Sequence, residues 1–287
     1  MRMHLLIAGL GYAGTAVARL AIGRGFAVSA TSRDPARADA PPGVAVVAFG
    51  DAMPDGVTHL LATAPPGAGG DPVLAAYRPA LASAGALRWA GYLSTTGVYG
   101  DRAGGWVDEA TSVAPTNDRS VRRVAAEQAW AALSPRMAVD LFRVAGIYGP
   151  ARSVFDDLQA GRARRVLKPG HAFGRIHRDD IAGAVLAAMS QNPPPGVRVF
   201  NLADDVPSES AAVIEEAARL VGATLPEPVA FETALAGMSA MARSFWNENR
   251  KVSSRRTQEI LGYRWRYPSY REGLRAILAE MGAQRVP

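Results

Sequence analysis

Short apolar runs alternate with stretches of helical periodicity along the first half of the chain. The apolar runs carry valine, leucine, isoleucine and alanine at successive positions, which is typical of strands that are buried on both faces. They predict strands over residues 4–8, 27–31, 44–48, 59–62, 91–94 and 138–143. The stretches between them predict helices over residues 14–23, 72–84 and 119–133. This alternation indicates βαβ units and therefore an α/β fold with a doubly wound parallel sheet.

The second half of the chain is less regular. Its patterns predict a further strand over residues 197–202 and helices over residues 153–164, 179–190, 208–220, 257–261 and 270–281. We expect Ser208 and Asp180 to cap the helices in which they stand, because short polar side chains satisfy the free N–H groups of a first turn. We assign residues 1–145 to the sheet core. Residues 146–287 supply the remaining sheet elements, at about 175–205, and a small C-terminal substrate lobe.

Composition narrows the classes of protein that remain. The chain has 287 residues, of which 48% are apolar and 20% charged, and this excludes a disordered chain. It contains no cysteine, so disulfides, iron–sulfur clusters and thiol nucleophiles are excluded. The four histidines lack metal-ligand spacing, so we expect no metal site. Neither a signal peptide nor a run long enough to span a membrane is visible, and we expect a cytoplasmic protein.

The net charge of +6 comes from arginine, because Lys168 and Lys251 are the only lysines among 32 basic residues. Such an excess is compatible with nucleic acid, with phosphorylated or acidic substrates, or with a solvated surface. The basic clusters lack interleaved aromatic residues and a recognised binding motif. We therefore expect a small-molecule substrate and no nucleic-acid partner.

A glycine-rich segment follows the first predicted strand and opens the first predicted helix. It reads Gly9-Leu10-Gly11-Tyr12-Ala13-Gly14. A dinucleotide pyrophosphate requires a tight turn, close approach to the backbone and the N–H groups of a helix N-terminus, and this spacing permits all three. It predicts a Rossmann-type cofactor site in which the three glycines, Tyr12 and Ala13 contact the cofactor.

The end of the second strand indicates which cofactor is bound. NAD-binding sheets carry an acidic residue here for the ribose hydroxyls, whereas this chain has Ser32 and Arg33. Arg33 can pair with a 2′-phosphate, and Ser32 can donate a hydrogen bond to it. We expect NADP in preference to NAD. The loop Thr63-Ala64-Pro65 follows the fourth strand and should also contact the cofactor, since parallel sheets bind ligands beyond the carboxyl ends of their strands.

Several further motifs, in order along the chain, resemble the extended short-chain dehydrogenases/reductases, the superfamily of nucleotide-sugar epimerases and dehydratases. They are Leu93-Ser94-Thr95-Thr96-Gly97-Val98-Tyr99-Gly100, Trp106-Val107-Asp108-Glu109, Arg143-Val144-Ala145-Gly146-Ile147-Tyr148-Gly149-Pro150, Ile176-His177-Arg178-Asp179-Asp180-Ile181-Ala182 and, near the end, Leu261-Gly262-Tyr263 with Tyr267-Pro268-Ser269-Tyr270-Arg271-Glu272-Gly273-Leu274. The resemblance implies nicotinamide-dependent chemistry, a place for Gly146 beside the cofactor and, in many members, a homodimer. It aligns Thr95 with the family's catalytic serine.

The chain departs from this family at the catalytic pair. Counting back from Glu127-Gln128, the positions of the family's Tyr-x-x-x-Lys fall on Arg119 and Arg123. An arginine, always protonated near neutral pH, cannot act as the acid or base but can stabilise a developing oxyanion. Tyr99 and Tyr148 are the candidate replacement proton donors, with structural packing as the alternative for both. The resemblance thus implies an atypical branch that keeps the sheet and loses the tyrosine.

The pattern favours an NADP(H)-dependent oxidoreductase of this atypical class that acts on a small polar or anionic substrate. Two alternatives stay open. One is a nucleotide-sugar epimerase or dehydratase, against which the missing tyrosine counts. The other is a non-catalytic protein that senses or responds to NADP, for which a site stripped of its tyrosine would be natural.

Overall fold

The computed structural model describes residues 3–83 and 85–283. The strands, in chain order, are β1 (His4–Ala8), β2 (Ala27–Ser32), β3 (Val44–Ala48), β4 (His59–Ala62), β5 (Trp89–Thr95), β6 (Trp106–Val107), β7 (Ala138–Val144), β8 (Gly146–Tyr148), β9 (Arg165–Leu167), β10 (Arg175–His177), β11 (Gly196–Leu202), β12 (Pro228–Ala230) and β13 (Lys251–Val252). The helices are α1 (Tyr12–Gly23), α2 (Pro72–Ser83), α3 (Asp118–Ala131), α4 (Val154–Gln159), α5 (Arg178–Ser190), α6 (Ser210–Val221), α7 (Phe231–Ala236), α8 (Ala240–Trp246), α9 (Arg255–Leu261) and α10 (Tyr270–Ala283).

A seven-stranded parallel sheet forms the centre of the molecule. Its strand order is β3-β2-β1-β4-β5-β7-β11, and every neighbouring pair in it is parallel. The order reverses between β1 and β4, which places the expected ligand crevice at the carboxyl ends of these strands. This confirms the predicted α/β fold with a doubly wound sheet and all seven predicted strands.

Helices cover both faces of this sheet. Apolar side chains of α1 and α5, such as Val17 and Val185, pack against one face, and those of α2 and α3, such as Tyr77 and Trp130, pack against the other. A strand covered on both faces buries side chains of both parities, and the runs that predict the strands show this pattern. The last residue of the helix predicted over 72–84 lies outside the described residues.

Six short strands pair two by two outside the central sheet, as β8 with β10, β9 with β12 and β6 with β13. None was predicted, because two or three residues show no periodicity and the pairing depends on distant segments. Of the sheet elements expected at about 175–205, β11 joins the central sheet, whereas β10 pairs with β8. A third apolar cluster, which includes Phe155, Val213 and Leu274, forms the core of the C-terminal lobe.

Three helix predictions in the second half were partly wrong. The helix predicted over 153–164 ends at Gln159, and Gly161 follows with a φ of 64°. The helix expected to start at Ser208 starts at Ser210, and the Ser208 hydroxyl donates instead to the carbonyl of Val206. His177 caps α5, and Asp180 lies in its first turn, where its buried carboxylate accepts from the backbone N–H groups of Arg266 and Tyr267.

Candidate functional site

The glycine-rich loop between β1 and α1 has a backbone that side chains would disturb at two positions. Gly9 has a φ of 107°, and a Cβ there would lie 2.7 Å from the Thr63 Oγ1. A Cβ at Gly14 would lie 2.8 Å from the Gly9 carbonyl oxygen. The fold therefore requires glycine at both positions. Gly9 allows the turn, and Gly14 allows α1 to pack closely against the loop.

Gly11 is different, because no contact with the described residues requires a glycine at this position. Its backbone is extended, with a φ of −104°, and a Cβ built on it would meet no atom within 4 Å. Gly11 is also the N-cap of α1, whose first turn has neither a side-chain cap nor an acidic residue. The helix therefore presents N–H groups and a partial positive charge to open space beside Gly11. A dinucleotide pyrophosphate fits this arrangement.

Two threonines hold the glycine-rich loop in place. The Thr31 Oγ1, at the end of β2, accepts a hydrogen bond from the Gly9 N–H at 3.0 Å. The Thr63 hydroxyl, at the end of β4, donates to the Gly9 carbonyl. Thr63 was predicted to contact the cofactor, and the structure shows that its side chain fastens the loop. Ala64 and Pro65 follow at the same edge of the sheet, half-buried and exposed respectively.

Ser32 and Arg33, predicted to bind a 2′-phosphate, lie at the end of β2. The Ser32 hydroxyl oxygen accepts from the Asp34 N–H at 3.2 Å, so Ser32 closes a local turn. Arg33 is exposed, and it has no ion pair with any carboxylate of the described residues. Arg37 nearby is paired with Asp34 at 3.6 Å. Arg33 is thus the uncommitted cation at this end of the strand.

Tyr12 directs its side chain away from the loop, toward the turn that follows β8. Its hydroxyl donates to the Pro150 carbonyl at 2.8 Å. The guanidinium groups of Arg152 and Arg178 lie 5.6 and 5.2 Å from the centre of its ring. Ala13, also predicted to contact the cofactor, is buried beneath the loop. The backbone N–H groups of both residues remain at the N-terminus of α1, beside the glycine-rich loop.

A cleft of about 520 Å³ opens at the carboxyl ends of β5 and β7, opposite α8. Among the predicted residues it brings together Thr95, Arg119, Arg123, Gly146 and Tyr148. Most of the charge on its wall is positive. The lining arginines are Arg119, Arg123, Arg152, Arg175 and Arg250, and the lining carboxylate is Glu248.

Thr95 ends β5 at the wall of this cleft. Its side-chain oxygen accepts from the Gly97 N–H at 3.1 Å, which caps the short 3₁₀ helix over Thr96–Tyr99. Thr95 therefore has the capping role that was the alternative to catalysis. The cap uses the Thr95 Oγ1 only as an acceptor, so the hydroxyl proton can still be donated to another group.

The two arginines at the positions of the family's tyrosine and lysine have different surroundings. Arg123 is buried, and its Nη1 donates to the Leu93 carbonyl at 2.7 Å and to the Tyr92 hydroxyl at 3.1 Å. Arg119 is exposed, and its guanidinium lies 5.7 Å from the centre of the Phe245 ring. Arg123 thus supports the end of β5, while Arg119 remains free to approach a substrate.

The structure does not bring Tyr99 to the cleft. It is fully buried, its hydroxyl donates to the Asn201 Oδ1 at 2.7 Å, and the Arg143 Nη1 donates to the same hydroxyl at 3.0 Å. Tyr148 reaches the cleft wall, but its hydroxyl donates to the Ser269 carbonyl at 3.3 Å, and burial raises its pKa far above the usual range. Both tyrosines take the structural role that was the alternative to catalysis.

Several motif residues that carry the family resemblance form one buried polar network. The Glu127 carboxylate receives two donors of the Arg143 guanidinium, with Nη2 at 2.8 Å, and the Ser94 hydroxyl at 2.6 Å. Arg143 then reaches Tyr99. These four residues come from two strands, a 3₁₀ turn and a helix, and they tie α3 to the sheet. The sequence motifs mark these positions but do not reveal that the residues bind each other.

Sequence reasoning missed the residues that close the cleft from the C-terminal lobe. The Glu248 carboxylate accepts from the Asn117 Nδ2 at 2.9 Å and from the Arg250 Nη1 at 2.6 Å. It links the segment after α8 to the N-cap of α3. Phe245 and Trp246, at the end of α8, add an aromatic wall, and Phe245 is 52% exposed. No periodic pattern marks this segment, so only the folded arrangement assigns it to the cleft.

The described residues 3–83 and 85–283 hold no group of three or more histidine, aspartate or glutamate side chains that could bind a metal ion. None of the helices in these ranges combines the length and the apolar character that crossing a membrane demands.

No family model matches the chain. A solved structure of a functionally unknown conserved protein from Silicibacter pomeroyi DSS is 44% identical, with a TM-score of 0.89, and the match covers 97% of this chain and 99% of that one. The chain belongs to the same family as this protein.

A second solved structure shares the fold of this chain. The human epimerase family protein SDR39U1 (isoform 2), determined with NADPH, has a TM-score of 0.78 at 18% identity, and the match covers 96% of this chain and 99% of that one. The chain has the fold of the extended short-chain dehydrogenases/reductases. This confirms the fold that the motif resemblance implies.

Protein YeeZ of Escherichia coli (strain K12) is 27% identical over 180 residues. The match covers 62% of this chain and 58% of the length of YeeZ.

Proposed function

We propose that the protein is an NADP(H)-dependent oxidoreductase that acts on a small anionic substrate. The observation that carries this proposal is Gly11. A Cβ there would meet no atom of the described residues within 4 Å, so the space in front of the uncapped N-terminus of α1 stays open. The arginine-lined cleft at the ends of β5 and β7 supplies a place for the second reactant.

The cofactor would be held by backbone and charge. The loop of Gly9, Gly11 and Gly14 with the first N–H groups of α1 would bind the pyrophosphate, and Arg33 would pair with the 2′-phosphate. Arg33 has no competing ion pair in the described part of the chain, which supports NADP over NAD. The human epimerase family protein of the same fold was determined with NADPH. When bound, the nicotinamide supplies or accepts a hydride.

Thr95 and Arg119 would act on the substrate. The Thr95 oxygen already accepts from the Gly97 N–H, so its hydroxyl proton can be donated to a substrate carbonyl oxygen. The exposed Arg119 would stabilise negative charge that develops on that oxygen. Arg123 holds the Leu93 carbonyl and so positions the end of β5 that carries Thr95. With no tyrosine at the usual place, the proton that completes the reduction would come from water in the open cleft.

Turnover of a defined substrate panel tests this proposal. The panel contains aldehydes, ketones, imines and enones, each with and without a carboxylate or phosphate, and NADPH oxidation is followed by its absorbance. We expect at least one anionic compound to be reduced, and its uncharged analogue to react at least about tenfold more slowly, since a charged contact contributes roughly 1.5 kcal/mol. Thr95→Ala should lower kcat while NADPH affinity is kept. Thr95→Ser, which keeps the hydroxyl, should retain most of the rate.

Two results would replace the proposal by one of its alternatives. Tight binding of NADPH without reduction of any compound would favour a protein that senses the cofactor. Turnover of UDP- or dTDP-sugars would favour an epimerase or dehydratase.

A further inference from the structure

A second cavity of about 540 Å³ lies next to the cleft, in the C-terminal lobe between α4, α6 and α10. The two cavities share Tyr148, Arg152, Arg175 and Ser210 as lining residues. The two cavities therefore adjoin each other at these residues.

The wall of this cavity carries more positive than negative charge. Arg152, Arg162, Arg164 and Arg175 line it, together with Asp156 and Asp157. Asp157 is paired with Arg162 at 3.2 Å. Asp156 accepts from the backbone N–H and the hydroxyl of Ser153, which fixes it at the start of α4. Both carboxylates thus already have partners within the chain.

The remaining arginines are not neutralised by ion pairs. Arg152 and Arg164 have no carboxylate within ion-pair distance among residues 3–83 and 85–283. The Nη1 of Arg175 donates to the carbonyls of Phe173 and Ser208, and the carboxyl that faces this guanidinium is Asp204, whose burial raises its pKa to about 8 so that it keeps its proton and does not neutralise the arginine. Three guanidinium groups at the junction and the wall are therefore suited to an anion.

The floor of the cavity is apolar. Val213 and Leu274 belong to the core of the lobe, and Val154 packs against that core from the edge. A cationic wall above an apolar floor fits a ligand with an anionic end and an apolar stem better than it fits a free inorganic anion.

The volumes of the two cavities also support a ligand that occupies both. Ligand cavities usually enclose about 300–1,000 Å³. Under the proposed function, part of the 520 Å³ cleft receives the nicotinamide end of the cofactor. The rest of the cleft then accommodates the reacting end of a substrate, and the adjoining cavity offers space for a stem attached to that end.

We propose that the second cavity is a subsite for a second anionic group, so that the substrate is an elongated molecule with an acidic group at each end and an apolar stem between them. This inference rests on the proposed function for the placement of the first acidic group in the cleft. Arg152 and Arg175 lie at the junction, and Arg164 binds the distal group. Tyr12, which stacks on Arg152, connects the subsite to the glycine-rich loop.

Binding of α,ω-dicarboxylates tests the proposal. Calorimetric titrations compare linear dicarboxylates of increasing length with monocarboxylates of the same length, using the full chain without cofactor. At one matched length we expect the dicarboxylate to bind at least about tenfold more tightly. Arg164→Gln should abolish this advantage and leave monocarboxylate affinity unchanged. Arg219→Gln is the matched control, since Arg219 is an exposed arginine paired with Glu216 that lines neither cavity, and we expect it to keep the advantage.

Equal affinities of dicarboxylates and monocarboxylates at every length would overturn the subsite, as would an Arg164→Gln protein that keeps the advantage. Titration with NADPH is done separately on the same proteins. If NADPH binds and a substrate is reduced but no length-dependent advantage appears, the subsite alone is wrong. If the advantage appears but NADPH does not bind, the proposed function is wrong and the second cavity remains a site for dianions.

Discussion

The guanidinium of Arg143 lies over the ring of Tyr99, 4.9 Å from its centre, and its Nη1 donates to the Tyr99 hydroxyl at 3.0 Å. The hydroxyl in turn donates to Asn201, 102 residues further along the chain. Both side chains are buried, and Glu127 compensates the arginine charge. The tyrosine of the Val-Tyr-Gly motif is therefore fully committed to connecting β5, β7 and β11.

Tyr99→Phe should lower stability and leave the chemistry unchanged. The substitution leaves one donor of Arg143 and the Asn201 oxygen without a buried partner, which costs about 1–3 kcal/mol. Urea unfolding measures this loss, and NADPH titration should show an unchanged affinity. Tyr148→Phe serves as the comparison, and it should cost less because its hydroxyl makes a longer bond, of 3.3 Å, to Ser269. If turnover of a reducible substrate fell at least about tenfold in Tyr99→Phe with stability unaltered, Tyr99 would be a catalytic residue after all.

Much of the sheet could be predicted from the sequence, because local apolar runs carry the information. The glycine-rich loop was also predictable from local sequence. The turn at Gly9, the open position at Gly11 and the close helix–strand contact at Gly14 all lie within six residues. The network around Arg143 was not, because Glu127, Tyr99 and Asn201 meet only after the sheet has formed. The contacts of Arg123 with β5 were not predictable either, because they too form only in the folded sheet. Its position aligns with a catalytic lysine, yet its partners are the backbone of Leu93 and the hydroxyl of Tyr92.

The C-terminal lobe shows most clearly where prediction from the sequence fails. Phe245 and Glu248 line the cleft from a segment with no periodic pattern, and each is positioned by α3 through Arg119 or Asn117. The strands β8 and β10 contain three residues each and are defined only by each other. Such elements depend on tertiary contacts rather than on local propensity.

Arg33→Ala should change the choice between cofactors. An exposed guanidinium without an ion pair can bind the 2′-phosphate of NADPH, whereas NADH offers no phosphate at that position. We expect NADPH affinity to fall about tenfold or more and NADH affinity to stay the same, measured by titration of both. Arg37→Ala is the matched control, because Arg37 is equally exposed but paired with Asp34. Equal losses for NADPH and NADH in Arg33→Ala would show that Arg33 does not contact the phosphate.

Asp204→Asn should change how stability depends on pH. Burial raises the pKa of Asp204 to about 8, against the lowering effect of the nearby Arg175 charge. The folded protein thus holds a proton that the unfolded chain, with a pKa of about 3.9, has released. The free energy of unfolding should therefore decrease as pH rises from about 4 to about 8. Between about pH 7 and about pH 8 this one group contributes a decrease of about 1 kcal/mol.

The measurement is urea unfolding of wild type and Asp204→Asn at these two pH values. Three buried histidines, His59, His171 and His177, act in the opposite direction, but at lower pH. Burial lowers the pKa of His59 and of His177 to about 4, so their contribution is lost only as pH falls below about 6.5. The comparison above pH 7 therefore isolates Asp204. A variant with the same decrease as wild type would show that Asp204 is already ionised in the folded protein.

The central claim is that the glycine-rich loop binds NADP(H), and Gly11→Thr tests it most directly. Threonine is about as good an N-cap as glycine, the backbone of Gly11 is extended, and a Cβ there meets no atom within 4 Å. The variant should therefore unfold within about 0.5 kcal/mol of wild type. Calorimetric titration with NADPH should show binding to wild type and an affinity at least about a hundredfold lower for Gly11→Thr, because the new side chain occupies the pyrophosphate space. A wild-type protein that does not bind NADPH, or a folded Gly11→Thr protein that binds it equally well, would contradict the claim.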